Sequence, residues 1–293
     1  MRALQAVVLV GAAYYLLRRQ LIPNWPDIRA RHFEWQAAPL VASAVLVLLT
    51  LAVFLAAWIT SLRWCAERIA PLDAAKVWFT ANLARFLPGG VWQFASLAVM
   101  SSRYGMSPAA ATATVLLEQI VLLLTGLAVV AGFTPIVLHA TWWRVALIVA
   151  LVLGAAILLL LPRLTKRLPS LSLVWSQLRA KQLVLFFVIL TVPWLLYGTA
   201  FRLLATGILG GGQLHASLGF YIAAFTGSYL AGVIAVFAPA GLFVREAALI
   251  SVLAPVLGGG DAVILAVASR IWLTALEILA GIIVLSLPSP AHA

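Results

Sequence analysis

The sequence predicts an all-α integral membrane protein, with about seven transmembrane helices and two further helical segments broken by Pro and Gly. Three observations carry that prediction. Apolar residues make up 65% of the 293 residues and charged residues 9%, where a soluble domain has about 45–50% and about 25%. The run from Pro39 to Leu62 has 24 residues and no charge, enough for a helix to cross about 30 Å of hydrocarbon. Two other apolar stretches are interrupted at Pro88-Gly89-Gly90 and Pro239-Ala240-Gly241. With 19 Lys+Arg and 8 Asp+Glu, the chain cannot cover a soluble fold of this size with polar side chains. The composition excludes a soluble enzyme, a nucleic-acid-binding domain and a disordered tail.

In chain order, Leu4 to Leu17 is followed by Arg18-Arg19 with no small-x-small cleavage site, and reads as an uncleaved, short first helix. Leu21 to Ala38 holds two Pro and several charges and reads as an interfacial loop. Pro39 to Leu62 spans, and Arg63 to Lys76 is a polar connection. Trp78 to Arg103 is apolar but broken. Ser107 is the N-cap and Pro108 the first residue of a helix that reaches Gly132 and carries Glu118 in mid-membrane. Val145 to Leu161 spans, behind the interfacial pair Trp142-Trp143. Pro162 to Lys181 has five positive charges and no acid, the pattern of a cytoplasmic loop. Gln182 to Phe201 and Leu214 to Phe237 span. Leu242 to Leu257 follows the second break, and Asp261 caps a last helix running to about Leu287. No loop is long enough to hold a folded soluble module.

The net charge of +11 fits Lys and Arg facing anionic lipid head groups, not nucleic acid. Cys65 is alone and the four His are scattered, so neither an intrachain disulfide nor a metal or other cofactor is expected. Most Trp residues, including Trp25, Trp35, Trp58, Trp64, Trp78, Trp142, Trp143 and Trp175, sit near segment ends and read as an aromatic belt. Trp92, just past a break, either lines a cavity or packs.

The two broken segments resemble each other. Phe86-Leu87-Pro88-Gly89-Gly90 aligns with Phe237-Ala238-Pro239-Ala240-Gly241 at a shift of 151 residues, with Phe, Pro and the second Gly identical. The repeat units cover roughly residues 72–132 and 214–287 of a single transmembrane domain. Paired interrupted helices in two halves point to a transporter binding site. A break frees backbone groups that hydrocarbon cannot satisfy, so protein, water or ligand must line it. The alternative is a plain kink tolerated by packing. Charge counting does not decide between re-entrant and crossing segments, since both place ten Lys/Arg inside and six outside.

Six charges lie in or beside apolar segments: Arg85, Glu118, Arg245, Glu246, Arg270 and Glu277. Each costs about 2.5–3.5 kcal/mol at mid-bilayer on insertion scales, so they are expected to face protein or a polar cavity. They sum to zero, and mutual pairing is available. Arg suits a phosphate because its fork makes bidentate contacts. The competing reading is a set of interhelical ion pairs that hold the bundle together.

The Phe86-Leu87-Pro88-Gly89-Gly90 run, the helix bearing Glu118, the run from Pro239 to Ala248 and the later Arg270 together resemble the flippase-like transmembrane domain of the lysylphosphatidylglycerol synthase family. The resemblance spans nearly the whole chain, and P-x-G-x-x-x-R-E is its most specific part. The family pattern there is usually P-G-G-x-G-x-R-E, so Ala240 and Phe243 stand where two glycines are usual; Gln119 stands where Arg often follows the Glu. The resemblance implies movement of lipid between leaflets. It does not imply synthesis of lysylphosphatidylglycerol, which belongs to a soluble domain absent from this sequence.

The function expected is therefore an inner-membrane lipid flippase or transporter for a phosphate-bearing lipid, in a prokaryotic cytoplasmic membrane. Arg85, Arg245 and Arg270 would hold the head group. Glu118, Glu246 and Glu277 would balance charge or bind a cationic moiety. Pro88, Gly89, Gly90, Pro239 and Gly241 would line the cavity. The partners are membrane lipids with anionic or zwitterionic head groups; a homo-oligomer and a lipid-biosynthesis enzyme are compatible with this reading, and nucleic acid is not. No nucleophile, nucleotide-binding or metalloprotease motif is present, so no catalytic residue is expected. The alternative is a non-transporting partner that presents lipid to a separate biosynthetic enzyme.

Overall fold

In the computed structural model, the described residues are 11, 14, 16–31, 33–65, 67–86, 92–133, 145, 179–235 and 238–288. They form α1 (Ile22–Ala30), α2 (Ala37–Trp64), α3 (Pro71–Ala84), α4 (Trp92–Arg103), α5 (Pro108–Phe133), α6 (Ala180–Leu209), α7 (Leu218–Ile234), α8 (Val244–Leu257) and α9 (Gly259–Ser286), and no strand occurs among them. Four of these helices, α2, α5, α6 and α9, are long and apolar enough to cross a membrane. The expected spans at Leu4 to Leu17 and Val145 to Leu161 lie almost wholly outside the described residues, as do the basic loop up to Leu178 and the pair Trp142-Trp143.

Local chemistry sets the boundaries. Pro71 and Pro108 open α3 and α5 at the position where a missing N–H costs nothing. Ser107 Oγ accepts from Ala110 N at 3.3 Å, the cap that the sequence announces. α6 runs on through Arg202 to Leu209 and stops at Gly210, whose φ of 82° a side chain would resist.

Several sequence expectations need correction. Ile22 to Ala30 is helical rather than a loop; Pro23 falls in its first turn, where Pro is tolerated, while Pro26 lies inside it and removes one N–H from the helix ladder. Asp73 and Lys76 belong to α3 and are buried, not part of a polar connection. Asp261 lies in the first turn of α9, not at its cap, and pairs with Arg31 at 3.2 Å. Trp58 and Trp78 are packed inside rather than lying at a lipid interface; Trp58 Nε1 donates to Thr114 Oγ1 at 3.2 Å. Trp25 and Trp35 are exposed, and Trp92 is half-exposed.

The chain divides into two compact units, residues 1–49, 129–139 and 194–276, and residues 50–128, 140–193 and 277–293. In unit one, aromatic residues of α6 and α7, such as Phe201, Tyr221 and Phe225, pack with Leu249 and Leu253 of α8 and Leu265 of α9. Ser43 Oγ donates to the Ala200 carbonyl at 2.8 Å and accepts from Trp272 Nε1 at 3.2 Å, tying α2 to α6 and α9. In unit two, Trp58 and Leu62 of α2 pack with Val77 and Trp78 of α3, Leu97 of α4 and Val115 of α5. A neighbouring cluster joins Ala57, Leu117 and Val121 to Phe186 and Leu190 of α6.

Each broken segment is a pair of short limbs. α3 packs on α4, and α7 packs on α8. With 14, 12, 17 and 14 residues, all four are shorter than the roughly 20 residues a spanning helix needs. The 151-residue shift carries α3, α4 and α5 onto α7, α8 and α9, with every boundary within four residues. The chain thus uses one order twice: limb, break, limb, turn, long helix.

Candidate functional site

The break in unit one is built by an unusual stretch of backbone. α7 ends at Ala235; Ala238 N donates to the Ala235 carbonyl at 2.8 Å, and Gly241 N to the Ala238 carbonyl at 2.9 Å. Ala240, Gly241 and Phe243 then have φ of 49°, 67° and 69°. Left-handed backbone is natural for Gly and strained for Ala or Phe. Gly241 has no freedom to be anything else: a Cβ there would lie 2.7 Å from the Gly232 Cα. Ala240 and Phe243 keep the conformation that glycine would adopt.

Arg245 follows at the start of α8 and folds back on α7. Its guanidinium carbon lies 4.7 Å from the Phe225 ring centroid and 5.3 Å from that of Tyr229, a cation–π arrangement. Phe225, Tyr229 and Gly232 follow helical spacing on one face, and Gly232 leaves room for the Arg245 Cβ. Arg245 is 7% exposed, yet its Nη2 has no hydrogen-bond partner among the described residues. Glu246 is also buried, and neither carboxylate oxygen accepts a hydrogen bond from a described residue. The nearest paired cation is Arg270, with Nη1 3.7 Å from Glu246 Oε1, while that same nitrogen donates to the Ala240 carbonyl at 2.9 Å. Arg270 thus reaches from α9 to brace the strained turn.

The arrangement in unit two is different. Arg85, at the end of α3, donates from Nη2 to Glu277 Oε2 at 2.6 Å and from Nη1 to Asn82 Oδ1 at 3.4 Å. Asn82 is itself fixed by donating to the Trp78 carbonyl. Glu277 is 5% exposed, and its other oxygen has no hydrogen-bond partner among the described residues. Gly281, one turn on, sits so close to α3 that a Cβ would meet Leu83 at 2.9 Å. Lys76 Nζ donates to the Leu287 carbonyl, a second tie between α3 and the end of α9. Glu118 is 4% exposed inside α5 and makes no ion pair among the described residues.

The structure therefore brings together Gly241, Arg245, Glu246 and Arg270 in unit one, just past Pro239, and Arg85 with Glu277 in unit two. It leaves Glu118 without an ion pair among the described residues. Pro88, Gly89 and Gly90 lie outside the described residues. Sequence reasoning missed Phe225, Tyr229 and Asn82, the residues that orient the two arginines. The available signal was the pair of aromatic residues at i, i+4 before a break that leads to Arg. Among the described residues, no group of three or more His, Cys, Asp or Glu is placed to hold a metal ion. The chain matches no known family model and no curated protein.

Proposed function

We propose that this is a prokaryotic inner-membrane protein that moves a phosphate-bearing lipid between leaflets, with the Pro239 break as the place where the head group is held. The observation that carries the reading is Arg245: a buried guanidinium beside a backbone break, with a donor nitrogen that no described residue accepts from. A buried free donor of that kind is costly unless something binds it, and a phosphate oxygen is a natural acceptor. The short paired limbs favour re-entrant segments, since three of the four, with 14, 12 and 14 residues, are too short to span, and each limb packs on its partner. The resemblance to the flippase-like domain points the same way. Arg85 and Glu277 are read as a structural pair at the first break, and Glu118 as a group for a cationic moiety. A gradient or lipid consumption would supply the direction.

The test is reconstitution into liposomes with head-group-labelled phospholipids. Exchange faster than in empty vesicles, lost in Arg245→Ala, is the expected result. Exchange at the empty-vesicle rate across several lipid classes overturns translocation and favours a partner that presents lipid without moving it.

A further inference from the structure

The cluster in unit one has a definite charge count. Arg245, Arg270 and Glu246 are two cations and one anion; among the described residues, these are the charged groups that bear on Arg245, beside the uncharged Tyr229 and Tyr197. Arg202, the cation of α6 in this unit, lies near Tyr221. The hydrogen bonding is incomplete on both sides. Among the described residues, Arg245 Nη2 has no acceptor, and both oxygens of Glu246 have no donor. Arg270 spends its Nη1 hydrogen bond on the Ala240 carbonyl and stays 3.7 Å from Glu246. That separation lies beyond a hydrogen bond. Glu246 therefore offsets one positive charge without being locked to it, unlike Glu277, which accepts from Arg85 at 2.6 Å.

One positive charge remains in buried surroundings, where an unbalanced charge is strongly disfavoured. One external negative charge cancels it, and an oxygen of the same group can satisfy Arg245 Nη2. A second external negative charge would leave the cluster negative and would face the Glu246 carboxylate, itself 8% exposed. We infer that Glu246 sets the charge the site accepts: the cluster takes a lipid group with one negative charge, such as a phosphate diester, and rejects a phosphate monoester with two. The inference rests on reading this cluster as a head-group site and adds the residue that determines its specificity.

The experiment is native mass spectrometry of the detergent-purified chain titrated with phosphatidylglycerol or phosphatidic acid, at a pH where phosphatidic acid carries two charges. The wild type should retain phosphatidylglycerol over phosphatidic acid by about tenfold, the scale of one modest charge interaction. Glu246→Gln raises the cluster to two positive charges and should erase or invert that preference. Glu246→Asp keeps the charge and should keep the preference. If Glu246→Gln does not fold, Arg270→Gln lowers the cluster to zero and should weaken retention of both lipids, phosphatidic acid the more. A wild-type preference persisting in Glu246→Gln, undiminished retention of phosphatidylglycerol or a lost preference in Arg270→Gln, or equal retention of both lipids by the wild type, overturns the inference. Binding of dimethyl phosphate without retention of phosphatidylglycerol overturns the lipid as its source. Retention reports binding and not movement, so absent leaflet exchange with an intact charge preference removes translocation and leaves this inference standing.

Discussion

Unit one and unit two each seat three of the six embedded charges, and they keep opposite remainders. Unit two ties Arg85 to Glu277 at 2.6 Å and leaves a buried acid, Glu118, over. Unit one holds Arg270 and Glu246 at 3.7 Å and leaves a buried cation, Arg245, over. The six charges cancel along the sequence, yet they do not cancel where they sit. The difference teaches that charge balance over a chain says little about local balance, because a buried charge is answered only by what lies within a few ångströms. The tight pair reads as structure, and the loose one as a site.

That comparison can be broken in several ways. The largest effect is expected at Gly241→Ala. The new Cβ would meet backbone at 2.7 Å in a left-handed residue, so the loss should be about 3 kcal/mol or more. Gly105 of unit two has φ of 71° with open space around it, and Gly105→Ala should cost only about 1 kcal/mol. Thermal unfolding in detergent measures both; similar losses would mean that the turn in unit one is not specially crowded.

Next is Arg85→Ala, which strands Glu277 and should cost about 3 kcal/mol. Arg270→Ala should cost less, since its ion pair is longer. The double variant Arg85→Met/Glu277→Leu should recover most of the loss. A larger loss from Arg270→Ala than from Arg85→Ala would reverse the assignment of structural and functional pairs.

A gain is expected from Ala240→Gly. It removes a side chain from a residue at φ of 49° and should stabilise by about 1 kcal/mol. Destabilisation by this change would show that the Ala methyl makes a contact worth more than the backbone strain.

Glu118→Gln keeps shape and breaks no ion pair among the described residues, so stability should change by less than about 1 kcal/mol. A loss as large as that of Arg85→Ala would reveal a cation held by Glu118.

The smallest effect concerns Cys65, the residue just past α2. Burial, and then the Glu67 carboxylate, push its thiol up to about 11. The reactive thiolate is therefore scarce at pH 7, and maleimide labelling should rise about tenfold per pH unit until the pH nears that value. Glu67→Gln removes the second cause and should lower the thiol's titration, so labelling at fixed pH quickens slightly. Labelling already at its plateau by pH 8 would contradict this.

Much of the fold was legible because helices in apolar surroundings obey local rules. The charge-free run from Pro39 marked α2, and Ser107-Pro108 marked the start of α5 by cap chemistry alone. The similarity of the two broken segments marked the order in which helix, break and long helix recur. Where local rules compete, legibility fell. Asp73 and Lys76 look like loop residues by polarity, yet α3 buries them; Trp58 looks like a membrane anchor, yet it packs against Thr114. The site was half legible: Arg and Glu in apolar segments announce themselves by their cost, but their partners do not.

The sequence by itself determined the all-helical class, the four long apolar helices and the two interruptions, because composition and periodicity act within a few turns of chain. Only the tertiary structure decided that Glu277 answers Arg85 across 192 residues, that Arg270 braces the Ala240 carbonyl, and that Arg245 rests on Phe225 and Tyr229 with a nitrogen that no described residue accepts from. Hydrogen bonds and buried ion pairs act over about 3 to 4 Å, and which groups come that close is set by how helices distant in sequence pack.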